Sequence, residues 1–175
     1  MANREALRQL HARLAARLHA ARSEGVTTAR WLAVEAGASR YLMPLVHAGE
    51  IFPWSGVLRV PYTRPWLLGV ANLRGTLAAV VDFSGLLGQS TARSEMALAG
   101  ASLLAFNPML EVHAALLVDR LLGLRGAQDF TGMQDAPADA PAWRGATYFD
   151  AAGDSWQEID LRLLSHDPDF LHIRA

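Results

Sequence analysis

The 175-residue chain contains no cysteine and no lysine. Without cysteine there is no disulfide, no thiolate nucleophile and no Cys-ligated zinc. Without lysine there is no P-loop, no Schiff base and no protein-kinase fold, because each needs its own ε-amine. The 16 basic residues are therefore all arginine, set against 17 acidic ones for a net charge of -1. That balance offers no basic surface for nucleic acid, and none is expected as a partner. Long apolar runs are missing too. The most hydrophobic region, Trp66 to Leu87, carries Arg74 and Asp82 and falls short of the roughly 18 residues a membrane span needs. Charges run through the N-terminal stretch and no apolar segment follows it, unlike a signal peptide. A cytoplasmic protein without direct membrane insertion is expected. What is abundant is ordinary core material: 51% of the residues are hydrophobic, enough for one domain or two small modules sharing a core.

The first segment predicts a helix over Asn3 to Arg22. Leu7, Leu10, Leu14 and Leu18 recur at three- and four-residue spacing and form one apolar stripe. Asn3 suits the cap and Gly25 the exit. Such a stripe packs on its own domain, or docks on another chain as a coiled-coil seam does.

After Gly25 the period changes. Trp31 to Ala36 and Arg40 to Met43, joined by Gly37-Ala38-Ser39, read as a hairpin. Pro44, Pro53, Pro61 and Pro65 discourage long helices. Thr76 to Asp82 reads as a buried strand, followed by a helical turn over Phe83 to Leu87 and a stop at Gly88. A polar loop, Gln89 to Glu95, then divides the chain into halves. Ala101 to Phe106 and Val112 to Val118 predict a second hairpin, and Gly123 to Pro141 a long exposed loop. Thr147 to Asp150 and Trp156 to Leu161 flank a turn-forming tip, Ala151 to Asp154. The fold class is mainly β, with two small barrels or one sandwich as the candidate architectures. No helix in the body is long enough for a βαβ crossover.

Catalytic chemistry finds little footing. The histidines His11, His19, His47, His113, His166 and His172 share no metal spacing, and no metal is expected. His113 falls in one of the predicted strands. No serine sits in a nucleophile elbow. Asp82, Asp119 and Asp160 each follow an apolar strand, where an aspartate ordinarily caps the next turn. A small β-barrel enzyme or ligand-binding domain using Asp82 or Asp119 is the competing reading.

One stretch stands out: Gly69-Val70-Ala71-Asn72-Leu73-Arg74-Gly75, next to the strand that ends at Asp82. Gly75 permits a tight turn, Asn72 can bond that turn, and Arg74 beside a hydrophobic strand calls for a carboxylate partner. The order Leu68-Gly69-x-x-Asn72-Leu73-Arg74-Gly75, Ala79-Val80-Val81-Asp82-Phe83, Leu86-Leu87-Gly88 and Ala115 to Leu121 resembles the CheW family of chemotaxis coupling proteins. Tyr41 to Leu45, Gly49-Glu50-Ile51 and Trp156 to Leu164 complete a likeness over about residues 30 to 165. Ala79 stands where the family usually has Pro, and Ala115 where it often has Gly. The long helical leader and Thr63-Arg64-Pro65-Trp66 look more like the PilI type found in type IV pilus (twitching motility) systems.

The resemblance implies two five-stranded β-barrels sharing a core over residues 26–175, with residues 1–25 as an appended helix. It implies a non-catalytic adaptor without cofactor, recruited to membrane-associated receptor arrays. Its partners would be the CheW-like regulatory domain of a CheA-type histidine kinase and the cytoplasmic tip of a chemoreceptor. By the same resemblance Glu50 and Arg74 form an acid–arginine pair beside the receptor surface, and Leu45, Ala48, Ile51, Leu121 and Leu124 supply apolar contacts around it.

Overall fold

The structure, a computed structural model, describes residues 9, 12–17, 29–89 and 93–175. Its strands are β1 (Ala29–Ala36), β2 (Ser39–Pro44), β3 (Ala48–Pro53), β4 (Leu67–Leu73), β5 (Thr76–Asp82), β6 (Ser102–Phe106), β7 (Ala114–Val118), β8 (Arg120–Gly126), β9 (Phe130–Gln134), β10 (Arg144–Asp150) and β11 (Ser155–Ile159). They form a five-stranded sheet ordered β3-β6-β7-β5-β4 and a six-stranded sheet ordered β8-β1-β2-β11-β10-β9. The expected mainly β fold with two barrel-like units is present, but one unit has a sixth strand.

That extra strand has a simple origin. Gly123 to Pro141 was expected to be an exposed loop. Instead β8 runs to Gly126, a 3-10 turn spans Ala127–Asp129, and β9 follows at once. The two edges of the six-stranded sheet are thus consecutive pieces of chain, and the sheet curls back on itself. Glycine misled the sequence reading here, because Gly123 lies in a strand. The pairing jumps from Ala33↔Gly123 to Val34↔Leu121, which leaves Leu122 as a bulge.

The division into sequence halves also fails. The strands on either side of residues 89–95 both belong to the five-stranded sheet. That sheet, β3 to β7, is inserted between β2 and β8 of the other. A short helix, Glu95–Gly100, precedes β6, started by Ser94 Oγ accepting from the Ala97 amide at 3.1 Å. His113 lies just before β7, exposed, rather than within a strand.

Strand alternation produces three cores. On β7, Ala114, Leu116 and Val118 face a core shared by both sheets, while Ala115 and Leu117 face the inside of the five-stranded unit. On β1, Leu32, Val34 and Ala36 join the shared core, and Trp31 and Ala33 fill the six-stranded unit with Leu42 and Trp156. Both faces of these strands are buried, which is why they read as unbroken apolar runs.

Gly69 is fixed by packing. Its φ is +145°, and a Cβ there would lie 2.2 Å from the carbonyl oxygen of Leu58. That carbonyl accepts the Val70 amide at 2.8 Å, and the Leu58 amide returns the bond to Val70 at 2.8 Å. Of the N-terminal stripe only Leu14 is described. It is buried within helical residues 12–17. Leu7, Leu10, Leu18, Asn3, Gly25 and the boundary at residues 25–26 lie outside the described residues.

Candidate functional site

The Asn72-Leu73-Arg74-Gly75 motif is the tip of the β4–β5 hairpin. Leu73 pairs with Thr76, leaving a two-residue turn with φ of +51° at Arg74 and +89° at Gly75. Two positive φ values mark a type I′ turn, whose twist matches that of the flanking strands. Asn72 Oδ1 accepts the Gly75 amide at 2.7 Å and locks the turn. Leu73 is buried in the inner core of the five-stranded sheet and anchors it. Arg74 is thereby held out at a set position.

Its partner is Glu50, as expected. Arg74 Nη1 donates to Glu50 Oε1 at 3.0 Å and lies 3.0 Å from Oε2. The side chains are 76% and 51% exposed, so the pair is a surface feature and not a buried ion pair. The guanidinium carbon also stands 5.9 Å from the centroid of the Phe52 ring. Glu50 lies where β3 bulges, between the pairs Ala48↔Phe106 and Ile51↔Leu104. Beside the pair opens a groove of about 290 Å³ walled by Phe52, Leu73, Ala78 and Val112. It is the end of the five-stranded barrel, with a charge pair on its rim.

The apolar residues named with the pair divide into two groups. Ile51 on β3 and Leu121 and Leu124 on β8 are partly buried, and all pack against the shared core from opposite sheets. Leu45 and Ala48 are buried within that core.

Asp82 and Asp119 converge, though on a residue that sequence reasoning missed. Arg93 Nη1 reaches Asp82 Oδ2 at 2.6 Å, its Nε reaches Asp119 Oδ1 at 2.6 Å, and its Nη2 donates to Ser84 Oγ at 3.0 Å. Asp82 therefore does not cap the helix Phe83–Leu86 with its side chain, whereas Asp160 does cap Leu161–Ser165, accepting the Leu163 amide at 2.9 Å. Burial alone would pull the Arg93 guanidinium down, but the hydrogen bonds and charges of Asp82 and Asp119 outweigh it and raise it above its ordinary value. A permanently charged arginine shared by two carboxylates holds structure and moves no proton. The missed signal was a lone Arg93 in a loop flanked by two strand-terminating aspartates, since a buried carboxylate demands a cation.

The six-stranded unit has an aromatic interior. Trp31 Nε1 donates to Glu158 at 2.7 Å, and Trp156 Nε1 donates to Asp150 Oδ2 at 2.9 Å. The guanidinium carbons of Arg40 and Arg125 lie 5.3 and 5.0 Å from the Trp156 ring centroid. Burial, then the charge of Glu158, pushes the Tyr148 phenol up. Among the described residues no group of three or more His, Asp or Glu is placed to hold a metal. Nor is any described helix long and apolar enough to cross a membrane.

Comparison with known proteins agrees with this geometry. A family model described as CheW-like domain matches residues 30–167. Protein PilI of Pseudomonas aeruginosa is 31% identical over 113 residues, covering 65% of this chain and 61% of that protein. Chemotaxis protein CheW of Rhizobium meliloti is 33% identical over 61 residues, covering 35% of this chain and 39% of that protein. The chain thus aligns with less than two thirds of the length of either relative. The crystal structure of the scaffolding protein TtCheW from Thermoanaerobacter tengcongensis superposes with a TM-score of 0.62, covering 75% of this chain and 88% of that one at 14% identity, a likeness of fold. With the match spanning both barrels, the β4–β5 turn and the crossover at Asp119, the chain belongs to the CheW-like domain family.

Proposed function

We propose that this protein is a non-catalytic adaptor that couples chemoreceptors to a CheA-type histidine kinase, in a pathway of the chemotaxis or twitching-motility kind. The observation that carries the reading is the Glu50–Arg74 pair, with Arg74 on an I′ turn and Glu50 on β3, beside an apolar groove in a CheW-like domain. A helical hairpin docks through an apolar groove, and a fixed charge pair at its rim sets orientation and excludes wrong partners more than it adds affinity. In this reading the receptor tip contacts Glu50, Arg74, Ile51, Leu121 and Leu124, with Leu45 and Ala48 supporting them. The kinase binds elsewhere on the domain through its own CheW-like regulatory domain. Residues 26–175 form the adaptor, the helix before them is an appendage, and the protein works at the inner face of a receptor array. No cofactor and no bond-making step are involved. The similarity to Protein PilI favours the pilus branch.

The test is binding of purified protein to two probes: the isolated regulatory domain of a CheA-type kinase encoded beside it, and a receptor cytoplasmic hairpin fragment. Micromolar or tighter association with each, both at once, supports the adaptor. Failure to bind either, at concentrations of about 100 μM, contradicts it.

A further inference from the structure

We infer that Arg93 is a positioning residue, a latch that fixes the angle between the two barrels. The barrels meet across the shared core, which is built from residues such as Leu32, Val34, Leu104, Leu116 and Val118. Apolar contact of this kind is non-directional and by itself tolerates sliding. The chain crosses between the sheets at residues 45–47 and at Asp119, the single residue between β7 and β8. Directional bonds at that second crossing converge on Asp119, and the guanidinium of Arg93 ties them to the end of β5.

Asp119 Oδ1 accepts from Arg93 Nε at 2.6 Å, and Asp119 Oδ2 accepts the Gly37 amide at 2.6 Å, in the β1–β2 turn of the six-stranded unit. The Asp119 amide in turn donates to the Glu35 carbonyl at 2.9 Å. On the other side Arg93 Nη1 holds Asp82 Oδ2 at the end of β5, and Nη2 holds Ser84 Oγ. Arg93 thus joins the crossover directly to the end of β5 through charge-assisted bonds of 2.6 Å, short enough to fix direction as well as distance, and reaches the β1–β2 turn through Asp119. Arg93 is 10% exposed and Asp82 1%, so solvent screens that pair little, while Asp119 is 27% exposed. The angle it sets matters because Ile51 comes from one barrel and Leu121 and Leu124 from the other. That last step rests on the proposed receptor contacts, which draw on both barrels; the latch itself does not.

The absence of native cysteine makes a clean test possible. Spin labels on Leu77→Cys and Met133→Cys, both exposed, report the distance between barrels. Labels on Leu58→Cys and Met109→Cys, also exposed, report within the five-stranded unit. Electron–electron distance measurements are made in the otherwise unaltered protein, in Arg93→Met, and in a triple variant carrying Arg93→Met, Asp82→Asn and Asp119→Asn. The triple variant leaves no buried carboxylate without a counter-ion and keeps the test available if Arg93→Met alone does not fold. The inter-barrel distribution is expected at least to double in width in the variants while the distribution within one barrel stays as it was. An unchanged inter-barrel distribution in the triple variant overturns the latch, and so does equal broadening of both pairs. Receptor-fragment affinity is measured on the same samples. A widened distribution with unaltered affinity upholds the latch and counts against a receptor surface shared by both barrels. Lost affinity with a narrow distribution overturns the latch.

Discussion

Replacing Arg74 by asparagine separates what its side chain does from what its backbone does. The backbone sits at φ +51°, a left-handed conformation that asparagine accepts far more readily than arginine. The side chain makes an ion pair whose members are 76% and 51% exposed, so its contribution to folding is limited to about 0.2–1 kcal/mol. Relief at the backbone offsets part of that loss, and the net change in stability stays within about 1 kcal/mol. For a chain of this length that shifts Tm by no more than about 4 °C. Binding behaves differently. If a receptor hairpin covers the pair, Arg74→Asn leaves Glu50 buried without its partner, a loss of about 2–5 kcal/mol. This corresponds to about 30-fold weaker affinity or worse. Thermal unfolding beside calorimetric titration with the receptor fragment reads both quantities. A melting temperature lowered by about 10 °C together with unchanged affinity would make the pair a structural staple and refute the reasoning.

Other perturbations have equally definite outcomes. Gly69→Ala puts a methyl group against the Leu58 carbonyl at a φ of +145°, and should lower stability by about 1–3 kcal/mol in urea titration; an unmoved midpoint would contradict the packing argument. Leu104→Ala, fully buried in the shared core, should cost about 2–5 kcal/mol, whereas Leu77→Ala, exposed on β5, should stay within about 0.5 kcal/mol. Asp150 is held below the usual carboxylate range by the Trp156 indole N–H, then by the Asp154 and Ala152 amides and the Arg40 charge. Because the folded value is the lower one, the ionised group stabilises the fold above the unfolded value of about 4 and loses that effect as pH falls through the folded value. Asp150→Asn should flatten the fall in stability over that acid window, followed by tryptophan fluorescence; an unchanged acid profile would refute it.

The sequence was legible wherever local chemistry and tertiary environment agree. Asn72-Leu73-Arg74-Gly75 spells its own turn, because a type I′ hairpin demands positive φ at both central positions, which Gly75 meets freely, and Asn72 anchors the turn amide. The apolar runs of β1, β5 and β7 stand out because both of their faces are buried. Legibility failed where a local signal has two tertiary meanings. Gly123 looks the same in a loop and beside a bulge, so the sequence from Gly123 to Pro141 predicts a loop where the end of β8 and the whole of β9 lie. Arg93 in a polar stretch looks like a solvated charge, and only the fold brings Asp82 and Asp119 to it from sequence distances of 11 and 26 residues. Leu45 and Ala48 lie close in sequence to Glu50, yet the turn between β2 and β3 and the bulge within β3 send them into the core.

The adaptor reading is tested most directly by the phosphorylation rate of the cognate CheA-type kinase, measured with receptor fragment or receptor-containing vesicles, in the presence and absence of this protein. The account predicts that receptor changes the kinase rate only when the protein is present, and that Arg74→Asn abolishes the coupling while remaining folded. A kinase rate that responds to receptor equally without the protein, or that ignores receptor even when all three are combined, would contradict it.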